Sequence, residues 1–396
     1  MRRSAFVITI LVIAIIIIAS CSKNDSSQAP ANPYPFISAA LNIDPAKLDN
    51  YSNQVRPVYI TKDNSGANPI TNSKATLGRV LFYDKNLSVD KSISCASCHK
   101  QEFAFSDTAI ASRGVLGGST GRHSMRLINS RFANEVKFFW NERAASLELQ
   151  TTQPIQDHSE MGFSGLNGRE NLTALLNRLQ GINYYNELFR FVYGDISVTE
   201  SRLQECLAQF IRSIQSFDSK YDAGRVQVGN DNQPFPNFSP NENLGKDIFL
   251  RPGVFDNTGN RINGGLGCAG CHRPPEFDID PNTRNNGVIG NLNGVGLDGA
   301  NTRAPSLRDL TKVNGVINGP LMHTAIAKTL RDAIAHYEII ISNPAQNPNL
   351  DPRLTPNGMG QRLNLNPTEI TGILAFLQTL AGTFVYTDKK WGNPFK

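Results

Sequence analysis

The chain has 396 residues, 40% hydrophobic and 18% charged, with 32 glycines and 22 prolines. That length suits two globular domains with a core in each, and the balance excludes a disordered or collagen-like chain. The net charge of +5 includes Arg2 and Arg3 of a leader segment, and no Lys/Arg block is long enough to track phosphates, so no nucleic acid is expected as a partner.

Residues 1–20 read MRRSAFVITILVIAIIIIAS, two arginines before an apolar run and then small residues. This is the pattern of a secretory signal. The apolar run from Ala5 to Ala19 falls short of the roughly 20 residues that span a bilayer. The junction Ile18-Ala19-Ser20-Cys21 resembles a bacterial lipobox, in which the cysteine is diacylated and becomes the first residue. A Ser/Asn/Pro-rich stretch at 22–35 then reads as a tether, so 21–59 is expected to be a lipidated N-terminus. The expectation is a periplasmic lipoprotein, touching the membrane only through the lipid on Cys21.

The remaining cysteines are Cys95, Cys98, Cys206, Cys268 and Cys271. Four of them form pairs followed at once by histidine: Cys95-Ala96-Ser97-Cys98-His99 and Cys268-Ala269-Gly270-Cys271-His272. C-x-x-C-H is the attachment signal of c-type haem. Two thiols reach the two vinyl groups of one porphyrin, and the adjacent histidine lies over the iron. A disulfide would be cramped in so short a loop, and a four-cysteine zinc site would leave both histidines without a role. Two covalently bound haems follow, with His99 and His272 as proximal ligands. Cys206, in the helical pattern ESRLQECLAQFIRSI, reads as a small buried hydrophobe.

Each motif follows a similar segment: Leu77-Gly78-Arg79-Val80-Leu81-Phe82 and Leu244-Gly245-Lys246-Asp247-Ile248-Phe249. Each reads as a short helix leading into an attachment loop. The second unit carries a turn-rich insertion, RPGVFDNTGNRINGG, before its cysteines. Further helical patterns occur at 170–193, 199–217, 328–341 and 367–380, and 251–320 reads as Gly/Asn-rich loops. The expected fold is mainly α: two cytochrome c-like haem domains in tandem, 60–234 and 235–396, with long irregular loops. The boundary lies in GNDNQPFPNFSPN at 229–241.

Phe139-Trp140-Asn141-Glu142-Arg143-Ala144 is followed by Gln150, Gln153-Pro154-Ile155-Gln156 and Glu160-Met161-Gly162. A second run is Arg303-Ala304-Pro305-Ser306-Leu307-Arg308, then Pro320-Leu321-Met322-His323 and Thr329-Leu330-Arg331-Asp332-Ala333-Ile334. On these stretches, over roughly 60 to 390, the chain resembles the bacterial di-haem cytochrome c peroxidase family, which includes the MauG-like enzymes. The resemblance implies an N-terminal haem that meets peroxide and a C-terminal haem that transfers electrons. It implies that Glu160 carries a proton between the peroxide oxygens, that Gln150 hydrogen-bonds peroxide, that Phe139 shapes the pocket and that Trp140 relays electrons between the haems. Each of the last three could equally be packing, and Glu160 could simply cap a helix or pair with an arginine.

The departures are informative. Many members carry a histidine that ligates the first haem at rest; counting back from Arg122, that place falls at about Val115, which cannot coordinate iron. The resemblance then implies a first haem already open, as in the MauG-like branch, with His123 and His158 as substitutes. His123 also replaces an asparagine that helps bind an interdomain Ca²⁺ in the family, which leaves calcium open. The sixth ligand of the second haem falls at Tyr337, fourteen residues beyond His323, with Met322, His323 and His336 competing. Peroxidases with an electron-storing haem use Met there, and Tyr resembles the MauG-like enzymes. The leading expectation is an enzyme that reduces hydrogen peroxide with electrons from a small cytochrome, a cupredoxin or an oxidisable substrate. Alternatives are MauG-like oxidation of a protein or small molecule and a non-enzymatic di-haem electron carrier. Members are often homodimers, which leaves a homodimer open here.

Overall fold

The computed structural model describes residues 32–396. The leader and Cys21 lie outside the described residues. The framework is mainly helical, with seven helices of nine or more residues among those described: α1 (Asn72–Tyr83), α2 (Leu172–Gln180), α3 (Asn183–Tyr193), α4 (Glu200–Ser213), α5 (Pro240–Leu250), α6 (Leu330–Glu338) and α7 (Pro367–Gln378). Their starts are written locally. Thr71 and Thr199 accept the N–H groups of Lys74 and Arg202 and cap α1 and α4. Ser239 with Glu242, and Asn366 with Glu369, form capping boxes on α5 and α7, each with proline in the first turn.

Two hydrophobic clusters form. The first gathers Leu77, Leu81 and Phe82 of α1, Tyr185 of α3, and Leu207 and Phe210 of α4. The second gathers Phe249 of α5, Phe277, Leu330 and Ile334 of α6, and Ile373 and Phe376 of α7. In each, the paired helices cross at the glycine of the repeated Leu-Gly. A Cβ on Gly78 would overlap the Cys206 carbonyl of α4, and one on Gly245 would overlap the Gly372 carbonyl of α7. The basic residue that follows is buried in both and reaches backbone carbonyls: Arg79 Nε donates to Gly392 at 2.7 Å, and Lys246 Nζ to Gln233 at 2.8 Å. The Phe that ends the segment faces an attachment motif in each cluster. Cys206 is wholly buried at the first crossing.

The insertion before the second motif is not all turn. It holds an antiparallel hairpin, β1 (Gly253–Phe255) with β2 (Arg261–Gly264). A second, shorter hairpin pairs β3 (His272–Arg273) with β4 (Asp278–Ile279). Residues near the C-terminus return to the first cluster, where Val385 and Trp391 are buried. No helix among the described residues is long and apolar enough to cross a membrane.

Candidate haem sites

Each C-x-x-C-H motif opens onto its own cavity. Cys95–Cys98 forms one helical turn begun by Ser94, whose side chain and that of Ser97 form a capping box. His99 follows, and its Nδ1 lies 3.2 Å from the Phe105 carbonyl, which leaves Nε2 as the free nitrogen. The cavity, about 280 Å³, is bounded by Cys95, Cys98, His99, Phe82 and Leu207. In the second site Gly267, at φ +69°, turns the chain into Cys268–Gly270, and His272 enters β3 opposite Ile279. Cys268, Cys271 and His272 bound a cavity of about 600 Å³ with Phe249, Leu330 and Ile334. The Nδ1 of His272 is buried without a partner.

These residues fit c-type haem. All four cysteines are free, and each pair shares a largely apolar cavity with one histidine. Burial pushes Cys95 up to about 12, Cys98 up to about 11 and Cys268 up to about 12, so the groups rest as thiols. The pairs stand in separate cavities, which rules out a single four-cysteine site.

At the same cavity as Cys95, Cys98 and His99, the chain doubles back through a tight turn. Phe138 and Ala144 exchange backbone hydrogen bonds, and Phe139 and Glu142 take φ of +71° and +54°. Phe139 and Gln150 reach the cavity wall, Gln150 from a short helix (Leu147–Thr151) capped by Ser146. Arg143, to which the sequence alone assigns no role, also lines the cavity, its guanidinium 3.4 Å from the centre of the Phe139 ring.

Glu160 stands beside them in a clamped turn. Its N–H donates to Asp157 Oδ1 at 3.0 Å, and its carbonyl accepts the Val115 N–H at 3.0 Å. A Cβ on Gly114 or Gly118 would overlap the Ser159 carbonyl, so the 114–118 loop lies directly on this turn. The Glu160 carboxyl has no hydrogen-bond or ion-pair partner among the described residues. Burial, reinforced by the Asp157 charge and opposed by Arg143, raises it to about 7. It therefore neither caps a helix nor closes an ion pair with arginine.

The structure brings Phe139, Trp140, Gln150 and Glu160 to one cavity with His99. It does not bring Val115 or His158 there. Val115 is wholly buried in the first cluster, and the His158 ring hydrogen-bonds Ser164 Oγ at 2.9 Å. His123 reaches the wall, with Nδ1 2.9 Å from the Ala109 carbonyl.

At the second cavity, Tyr337, Met322 and His323 line the wall with His272. His336 turns away, its Nε2 2.9 Å from the Asn286 carbonyl. Neighbours on a helix point about 100° apart, so both cannot serve one site. The His323 Nε2 lies 3.1 Å from the Gly290 carbonyl. The Tyr337 hydroxyl accepts from Asn286 Nδ2 at 3.1 Å, and burial raises it to about 12.

Trp140 lines both cavities. Its indole Nε1 donates to the His123 carbonyl at 2.7 Å, and its own carbonyl accepts the N–H groups of Thr302 and Arg303 at 2.9 and 3.0 Å. The indole is thus fixed in the partition by both halves of the chain.

Comparison with known proteins agrees with this geometry. A family model described as di-haem cytochrome c peroxidase matches residues 72–230. The methylamine utilization protein MauG of Methylophilus methylotrophus is 30% identical over 324 residues, covering 80% of this chain and 84% of that protein. The cytochrome c551 peroxidase of Nitrosomonas europaea is 25% identical over 319 residues, covering 78% and 80%. The crystal structure of a MauG-like protein associated with microbial copper homeostasis superposes with a TM-score of 0.63 at 26% identity, covering 86% of this chain and 99% of that one. The chain belongs to the di-haem cytochrome c peroxidase family that includes MauG, a family of peroxidase-type oxidoreductases built around two c-type haems.

Proposed function

We propose that this protein is an exported enzyme of two tandem haem units that reduces hydrogen peroxide to two waters in the first cavity, with electrons passed from the second. Cys95, Cys98 and His99 would hold one haem, and Cys268, Cys271 and His272 the other, with Tyr337 in the same cavity. When bound, the haems supply the iron at which peroxide is split and the path by which electrons reach it. The observation that carries the reading is Glu160: a half-buried carboxyl, unpaired among the described residues and raised to about 7, in the same cavity as Gln150.

Splitting peroxide requires the proton of one oxygen to move to the other, which leaves as water. Glu160 accepts the first proton as carboxylate and returns it as carboxylic acid. The Gln150 amide offers a hydrogen bond to the same substrate, and the Phe139 ring under Arg143 closes the apolar side. Trp140, fixed in the partition, is suited to carry electrons between the two sites. The donor would be a small cytochrome, a cupredoxin or an oxidisable substrate outside the cytoplasm, with the protein held to the membrane by lipid on Cys21.

A second reading, peroxide-dependent oxidation of a protein or small molecule as in MauG, is favoured by Tyr337 on the second cavity wall and by the MauG relative. Both readings need Glu160; a di-haem electron carrier does not. Replacing Glu160 with Gln, with both haems retained, is expected to cut turnover with peroxide by about 10²–10⁴-fold. Turnover within a few-fold of the parent enzyme would overturn the assignment. Steady-state oxidation of a reduced cytochrome by peroxide at catalytic rate supports the first reading over the second.

A further inference from the structure

The partition between the cavities contains two buried arginines, Arg126 and Arg303, exposed by only 7% and 8%. The Arg303 guanidinium is met by protein. Its Nη1 donates to the Glu135 carbonyl at 3.2 Å and to the Lys137 carbonyl, and it lies 4.5 Å from the centre of the Phe138 ring. Arg126 is met by much less. One nitrogen, Nη2, donates to the Ser306 carbonyl at 3.0 Å, while the buried Nε–H has no partner among the described residues. No carboxylate among the described residues lies within 4.0 Å of the Arg126 guanidinium. Asp309 acts on it from farther away. One oxygen of that carboxyl accepts the Gly382 N–H at 2.8 Å and the Tyr386 hydroxyl at 3.0 Å, and the other is itself buried without a partner.

A guanidinium taken out of water with an open donor edge and no contacting anion is strongly unfavourable. This one lines both cavities, each of which would take a haem carrying two propionate carboxylates. Its planar fork also matches a carboxylate better than any other side chain does. We propose that Arg126 is a haem-anchoring residue whose open Nε edge holds a propionate carboxylate of one of the two haems. The proposal rests on the two covalently bound haems alone and stands whichever peroxide chemistry the enzyme performs.

The test uses the mature holoenzyme, with two haems per chain checked by pyridine haemochrome in every variant. Reduction removes a positive charge from the iron, so a nearby guanidinium favours the reduced state. In Arg126→Gln, the midpoint potential of one haem should fall more than that of the other. The propionate bending band of that haem in the resonance Raman spectrum should shift, because it follows hydrogen bonding to the carboxylate. Arg126→Lys keeps the charge but loses the fork, so the potential should hold while the band still shifts. If the Gln variant fails to mature, the Lys variant decides alone: an unchanged band overturns the proposal. Equal falls in both potentials with no change in either band mark a long-range charge effect and also overturn it, as does a Gln variant in which nothing moves.

Discussion

A carboxyl group moves protons at neutral pH only if its surroundings lift it there. For Glu160 the lift comes from burial and from Asp157, and Arg143 opposes it. On the proposed function the step needs the carboxylate as base, so kcat/KM for peroxide should rise with pH through an inflection near 7 and fall below it. Asp157→Asn keeps an oxygen acceptor for the Glu160 N–H but removes the charge, and should move the inflection down. Arg143→Gln should move it up. A pH profile of the two variants that shifts in neither direction would dissociate Glu160 from the rate. The C-x-x-C-H motifs are legible because they are local: five consecutive positions carry each one. The Glu160 environment was not, since Arg143 comes from a turn seventeen positions earlier that only the fold brings near. Tyr337 and His336 are a similar case. A count along the sequence leaves them one position apart, and the rotation of α6 gives the cavity to Tyr337.

At the scale of the element, the repeated Leu-Gly-basic segment has a physical cause that its letters only hint at. Gly78 and Gly245 are the points where α1 meets α4 and α5 meets α7, backbone against backbone. Alanine normally gains about 1 kcal/mol over glycine inside a helix. Here the added methyl meets a carbonyl that cannot turn aside, and overpacking of about 1–3 kcal/mol or more outweighs the gain. Gly78→Ala and Gly245→Ala should each lower Tm, whereas Gly66→Ala, with nothing within 4 Å of the new Cβ, should leave it nearly unchanged. A Gly78→Ala protein as stable as the parent would mean that the helices are not held this closely. The helices were legible because amphipathic period and capping residues are written within each one. The hairpins β1–β2 and β3–β4 were not, because strands of two to four residues in turn-rich sequence show no alternation to read.

Across the whole molecule, the two halves are tied by groups that meet far apart in sequence. Arg122 pairs with Asp298 at 2.7 Å and Lys62 with Asp278 at 2.6 Å, and the His123 N–H donates to the His323 carbonyl at 2.8 Å. One such long-range tie is Trp391. It is buried in the first cluster, its indole Nε1 donates to Ser213 Oγ at 3.3 Å, and its carbonyl accepts the Tyr83 hydroxyl at 2.7 Å. Trp391→Ala should cost about 3–5 kcal/mol, seen as a lower Tm, and limited proteolysis should then cut around α1 and α4 before α5 and α7. Earlier cleavage around α5 and α7 would count against this packing. Nothing in the sequence marks this return, because a lone tryptophan in a polar stretch carries no period and no partner motif.

That return sets an order of assembly. Residues are made from the N-terminal end, yet the hydrophobic centre around the first C-x-x-C-H motif stays open until Trp391 has been added. The thiols of Cys95 and Cys98 therefore stand in an unfinished, accessible pocket until synthesis nears its end, an interval that suits covalent attachment of a bulky group. The unit made first is the one that closes last.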